Sequence, residues 1–115
     1  MALTWEQVVV DSSDPAALAA WWAEALGWVV VSTGDDEPEI RPAPDVLPGL
    51  LFVHVDEPKT VKDRLHLDFR PDSRDDQAAE VDRLIGLGAM RVDVGQVDAS
   101  WVVLADPEGN EFCVL

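Results

Sequence analysis

The order of apolar and polar positions along this chain is written twice. Val8 to Gly27 (VVVDSSDPAALAAWWAEALG) and Leu67 to Gly88 (LDFRPDSRDDQAAEVDRLIGLG) both run from apolar strand through polar turn and striped helix to a closing Leu-Gly. Short apolar runs follow each helix, and Asp45 to Val53 (DVLPGLLFV) answers Asp106 to Cys113 (DPEGNEFC), at an offset of 59 to 61 residues. Each half reads as a βαβββ unit, residues 1–57 and 58–115. Neither half closes a core alone, so the pattern predicts one α+β domain: a curved, partly open, barrel-like sheet with two outer helices and a concave face for a small ligand.

Within the first half, Trp5 to Asp11 is a β-branched run that predicts a strand. Asp14 is a good N-cap with Pro15 behind it, where the missing N–H costs nothing. Leu18, Trp21, Trp22, Ala25 and Leu26 recur at helical spacing, with Trp21 expected in the core, and Gly27 supplies a left-handed stop. Strands are expected at Trp28 to Thr33 and Leu50 to Val55, with the acidic stretch Gly34 to Glu39 turning out of the first. Ile40 to Ala43 reads as an edge strand, because Pro42 cannot donate to a ladder.

The polar segment Asp56 to Asp63 reads as a linker. Beyond it, Arg64 to Arg70 alternates: Leu65, Leu67 and Phe69 on a packed side, Arg64, His66, Asp68 and Arg70 on the concave side. Ser73 and Asp76 suit the start of a second helix, whose stripe is Ala78, Val81, Leu84 and Ile85 and whose stop is Gly88. Met90 to Val94, Trp101 to Ala105 and Glu111 to Leu115 complete the strands.

Composition narrows the functions. Eight Lys plus Arg against 23 Asp plus Glu give a formal charge of -15, which argues against a nucleic-acid partner, since phosphate binding needs a basic face. The charge serves solubility, or draws in a cationic ligand. No apolar run approaches the ~18 residues of a membrane span, and the amino end has no basic run before an apolar core, so a cytoplasmic protein is expected. The lone cysteine, Cys113, cannot form an internal disulfide.

The ending ADPEGNEFCVL, the first helix DPAALAAWWAEALGW and the middle stretch EPKTVKDRLHLDFR together resemble the vicinal oxygen chelate superfamily, the glyoxalase-like and bleomycin-resistance-like proteins. The resemblance implies the paired βαβββ fold over the whole chain and leaves the reaction open, since the superfamily holds isomerases, lyases, dioxygenases and drug binders. Members that use a metal take His or Gln from the first strand and Glu from the last strand of each half. Those positions fall here on Gln7 and His66, which are compatible, and on Val53 and Cys113, which depart from the pattern. Val53 offers no donor, and a hard ion prefers oxygen to a thiolate.

The resulting expectation is a metal-free, glyoxalase-like binder of a small molecule, assembled as a homodimer, with no cofactor. Its contact residues are expected to be Trp5, Gln7, Trp28, His66, Asp68, Trp101, Glu111 and Cys113. His66 has the bland alternative of a histidine satisfied in a polar wall, Cys113 that of a small buried hydrophobe, and Trp5 and Trp101 that of barrel filling. Glu111 is a candidate general base if burial raises its pKa, and His54 reads as structural. Two rivals stand beside this reading: a lyase, isomerase or dioxygenase whose divalent ion is held by Gln7 and His66, and a drug-sequestering dimer for a cationic aromatic ligand.

Overall fold

The computed structural model describes residues 2–32, 34, 37–93 and 100–115. The chain divides into two compact units, Met1–Pro58 and Lys59–Leu115. In the first, β1 (Gln7–Ser12) leads into α1 (Pro15–Leu26), then β2 (Val29–Ser32), β3 (Glu39–Arg41) and β4 (Gly49–His54). In the second, β5 (Leu67–Phe69) leads through a 3-10 turn (Arg74–Asp76) into α2 (Gln77–Leu87), then β6 (Met90–Arg91), β7 (Val102–Ala105) and β8 (Glu111–Val114). Each unit is thus an open four-stranded sheet with one helix. The strand orders correspond, β1-β4-β3-β2 and β5-β8-β7-β6, and in each the first strand runs parallel to the last.

Helix α1 forms for local reasons. The Asp14 carboxylate accepts from the Ala17 N–H at 3.2 Å and Pro15 starts the helix. Gly27 stops it at φ 67°, and Gly88 stops α2 at φ 118°. Both helices close alike, with Trp28 N–H donating to the Ala23 carbonyl and Ala89 N–H to the Leu84 carbonyl. In both cases the donor lies one residue beyond the left-handed glycine, so the orphan carbonyl is satisfied from outside the helix.

The cores lie between helix and sheet. Leu18, Ala19, Trp22 and Ala25 of α1 are buried with Ile40, Leu50 and Phe52; in the second unit Val81, Leu84, Leu104 and Phe112 are buried. The tryptophan in the α1 core is therefore Trp22, at 4% exposure, and Trp21 is half-buried, its ring meeting Trp22 edge-on at 5.0 Å. In α2 only Val81 and Leu84 of the expected stripe are buried, while Ala78 and Ile85 are exposed. The start is displaced too, because Ser73 accepts from Asp75 N–H and caps the 3-10 turn.

Three further expectations are corrected. Strand β3 is interior, flanked by β4 and β2. Pro42 lies just past its end, so it stops the strand and bars nothing. Strand β1 begins at Gln7, which leaves Trp5 outside the ladder and 65% exposed. Its partner β4 starts at Gly49, behind Pro48, which has no N–H to extend the pairing. Finally, β5 holds three residues, and Leu65, expected on the packed side, is 90% exposed. Where a longer ladder would continue, the Glu111 N–H is taken by the Asp63 carboxylate at 3.0 Å. Thr33, Asp35, Asp36 and Val94, parts of expected turns and strands, lie outside the described residues.

Gly49 is a position where only glycine fits: an added Cβ would stand 2.6 Å from Glu39 Oε2 and 2.9 Å from the Ile40 carbonyl oxygen. Between β7 and β8, the buried Asp106 carboxylate accepts from the Glu108 and Asn110 N–H groups and from Asn110 Nδ2, and Gly109 takes φ 90°. The DPEGN stretch is therefore a self-satisfied turn.

Candidate functional site

A cavity of about 420 Å³ opens in the second unit. Five residues expected from the sequence line it: His66, Asp68, Trp101, Glu111 and Cys113. Parallel pairing of β5 with β8 sets Asp68 in register with Cys113, and His66 lies two residues before Asp68, so all three reach one wall. Val103, Phe112 and Leu115 give that space an apolar part, and Trp101, 42% exposed, brings an indole to it.

His66 Nε2 lies 3.2 Å from Asp68 Oδ1, with both side chains about half-exposed. Cys113 is buried at 6% exposure and its thiol donates to Asp68. Burial pushes the Cys113 pKa up, the Asp68 charge and hydrogen bond push it further, and Lys62 opposes them weakly. The thiol therefore stays protonated, which makes it a poor nucleophile: its partner is an anion where an activated cysteine has a cation.

A second cluster forms the rim. Lys62 and Asp63 line the cavity beside Glu111, on a segment that reads from sequence as a mere linker. Asp63 and Glu111 clasp each other, the Asp63 N–H donating to Glu111 Oε2 at 3.3 Å and the Glu111 N–H to Asp63 Oδ2 at 3.0 Å. Lys59 Nζ sits 2.7 Å from Glu111 Oε2 and 3.7 Å from Asp63 Oδ1. Burial, with the Glu111 hydrogen bond and charge, pushes the Asp63 carboxyl up to about 6, against the pull of Lys59. Burial would also raise Glu111, but hydrogen bonds from Lys59 and from backbone N–H groups outweigh it and hold Glu111 below its ordinary value. The proton-holding carboxyl is thus Asp63, and the condition on which Glu111 was a candidate general base, a pKa raised by burial, is not met. Only the Lys59–Asp63 spacing hints at this cluster in the sequence, because Glu111 arrives from 48 positions away.

The other expected contacts belong to the first unit. Gln7 is the half-buried first residue of β1, Trp28 is half-buried between Gly27 and β2, and Trp5 precedes β1. His54 is exposed at the end of β4, 3.7 Å from Asp56.

A family model described as a glyoxalase-like domain matches residues 7–115. The chain belongs to that family. Comparison with curated proteins gave no match. A possible glyoxalase from Bacillus cereus superposes with a TM-score of 0.75 at 17% identity, covering 99% of each chain. A glyoxalase/bleomycin resistance protein/dioxygenase family enzyme from Burkholderia phytofirmans PsJN gives 0.74 at 18%, covering 97% of each. A mutant of the fosfomycin resistance protein FosX from Listeria monocytogenes, complexed with Mn(II) and 1S,2S-dihydroxypropylphosphonic acid, gives 0.69 at 11%, covering 99% of this chain and 89% of that one. At these identities the likeness is one of fold.

At the two last-strand positions where the resemblance implies carboxylates, the residues present do not fit a hard divalent ion. The last strand of the second unit offers a protonated thiol at Cys113, and that of the first offers Val53. Manganese or magnesium calls for oxygen donors in an octahedron, and neither side chain supplies one.

Proposed function

We propose that this chain is a small-molecule-binding protein that holds its ligand in the cavity of the second unit through side chains alone, without a hard divalent ion. The carrying observation is the cavity itself: about 420 Å³ is the size of a small organic ligand, and the wall pairs an indole with hydrogen-bonding groups. Trp101 offers a flat apolar face, His66 and Asp68 fix orientation, and Glu111 with its Lys59 partner holds the rim. The protein is proposed to be a cytoplasmic homodimer, a reading supported by the exposed apolar side chains of Leu3, Trp5 and Val9 near the outer strand β1. No helix among the described residues is long and apolar enough to cross a membrane.

The test is ligand-detected NMR with a panel of neutral and cationic aromatic fragments, run in chelator and again with added Mn(II). Binding is expected to be the same in both, to quench tryptophan fluorescence, and to weaken more in Trp101→Phe than in Trp5→Phe. Binding that appears only with Mn(II) overturns the reading in favour of a metal-dependent lyase, isomerase or dioxygenase.

A further inference from the structure

The cavity of the second unit carries charges of both signs, and they are unevenly partnered. The carboxylates that line it, Asp63, Asp68 and Glu111, already have partners within the chain. Lys59 Nζ lies 2.7 Å from Glu111 and 3.7 Å from Asp63, and those two carboxyls also accept each other's backbone N–H groups. Asp68 lies 3.2 Å from His66 and accepts from the Cys113 thiol. Lys62, one residue before Asp63 on the rim, lines the cavity and makes no ion pair among the described residues. Its charge reaches the inner wall: burial and Asp68 raise the Cys113 pKa, and Lys62 pulls against them. We propose that Lys62 sets the specificity of this cavity and that the ligand is a small carboxylate, its anionic end at the Lys62 ammonium and a flat apolar body against Trp101. The inference rests on the organic-ligand reading and adds the charge of the ligand to it.

The charge of the whole chain points the other way, since a formal -15 draws cations toward the protein. Inside the cavity the nearest groups decide, because exposed charges more than ~8 Å apart are largely screened at physiological salt. A cationic ligand would have to compete with Lys59, His66 and the thiol for carboxylates that those groups already hold. An anion meets an ammonium that no carboxylate has taken. That ammonium donates up to about three hydrogen bonds and accepts none, so a carboxylate oxygen suits it and an amine does not. The number of charges then selects among anions. One spare cation balances a carboxylate, whereas a phosphate monoester, at about -1.5 to -2 near neutral pH, calls for a second. Arg64, the nearest candidate in sequence, is exposed and stands outside the cavity lining. Trp101, Val103 and Leu115 supply the apolar surface for the rest of the ligand.

The experiment is an NMR titration of the full chain, in chelator, with four probes that share one ring system: naphthylacetate, naphthylacetamide, naphthylmethylamine and naphthyl phosphate. Naphthylacetate is expected to bind roughly five- to tenfold more tightly than the amide or the amine, and at least as tightly as the phosphate. Lys62→Met, at an exposed position outside the strands, should bring naphthylacetate down to the affinity of the amide. Lys62→Arg should keep the preference, and Arg64→Gln, which removes the same charge from outside the cavity, should leave it intact. Equal binding of naphthylacetate and its amide, tighter binding of the amine or the phosphate, or a preference that survives in folded Lys62→Met would each overturn the proposal. If the amide binds as well as the acid, this inference alone falls; if none of the four binds, the organic-ligand reading falls with it.

Discussion

The two units share a backbone plan and differ in what it carries. With Phe52 set against Phe112, as the sequence repeat sets them, the ladders place Val10 where Leu67 stands, since each faces its phenylalanine across the parallel pairing. By that alignment Asp11 stands where Asp68 does, Val53 where Cys113 does, Val9 where His66 does and Leu51 where Glu111 does. The first unit keeps one carboxylate and has apolar side chains at the other three places. The second has imidazole, carboxylate, thiol and a second carboxylate on one short strand pair. Neighbouring parallel strands in register can bring several groups to one wall, and which groups arrive is a matter of a few substitutions. The alignment also sets Val9, not Gln7, opposite His66, so the repeat offset is shorter at the first strands than at the last.

The helices differ as well, and the largest expected effect follows from that. Counting back from the glycine stops, Trp22 of α1 corresponds to Arg83 of α2, which is exposed and pairs with Glu80. Trp22→Ala should cost about 3–5 kcal/mol in denaturant unfolding, whereas Arg83→Ala should stay within about 0.5 kcal/mol. The phenylalanines should not differ: Phe52→Ala and Phe112→Ala, at 0% and 1% exposure, should each cost about 3–5 kcal/mol. A mild Phe112→Ala would break the equivalence of the two cores.

Glycines give the next contrast. Gly49→Ala forces a Cβ against Glu39 and a backbone carbonyl oxygen and should destabilise by about 1–3 kcal/mol. Gly86→Ala, inside α2 with nothing within 4 Å, should stabilise by about 0.5–1 kcal/mol in the same melts.

The smallest effect concerns pH. Asp63 keeps its proton in the folded state up to about 6, while in the unfolded chain an aspartate loses it near ~4. The folded state binds more protons in that window, so this group's contribution to stability is present below it and is lost as pH rises through it. Glu111, held below its ordinary value, acts in the opposite sense, its contribution present at higher pH and lost as pH falls. Asp63→Asn should therefore flatten the decline in melting temperature between pH ~4 and ~6. An unchanged slope would show that the clasp does not hold the proton. With Leu51 at the place of Glu111, no such clasp stands at that place in the first unit.

What the sequence discloses follows the range of the forces involved. Caps and stops act within one helical turn, and the Asp14 cap with the Gly27 and Gly88 stops stand where the residues place them. The shared wall of His66, Asp68 and Cys113 also follows from strand alternation, which needs only parity. Pro42 shows the limit, because a missing N–H marks where pairing ends but says nothing of whether the strand lies inside the sheet or at its edge. Alternation over Arg64 to Arg70 promises a longer strand than forms, because the Glu111 N–H goes to a side chain instead of a ladder partner. The clasp of Asp63 with Glu111 lies beyond any local pattern, being made by residues that meet only once β5 and β8 have paired.

The insertion of the last strand of each unit between its first and third sets an order of events during synthesis. Gln7 pairs with Gly49 and Leu67 with Phe112, so each first strand leaves the ribosome some forty residues before its partner. Until β4 emerges, β1 has no neighbour on either side, and β3 can pair only with β2. Completion of each unit therefore waits on its final segment, and a chain stopped before Gly49 or before Glu111 presents an unpaired apolar strand to whatever surrounds it.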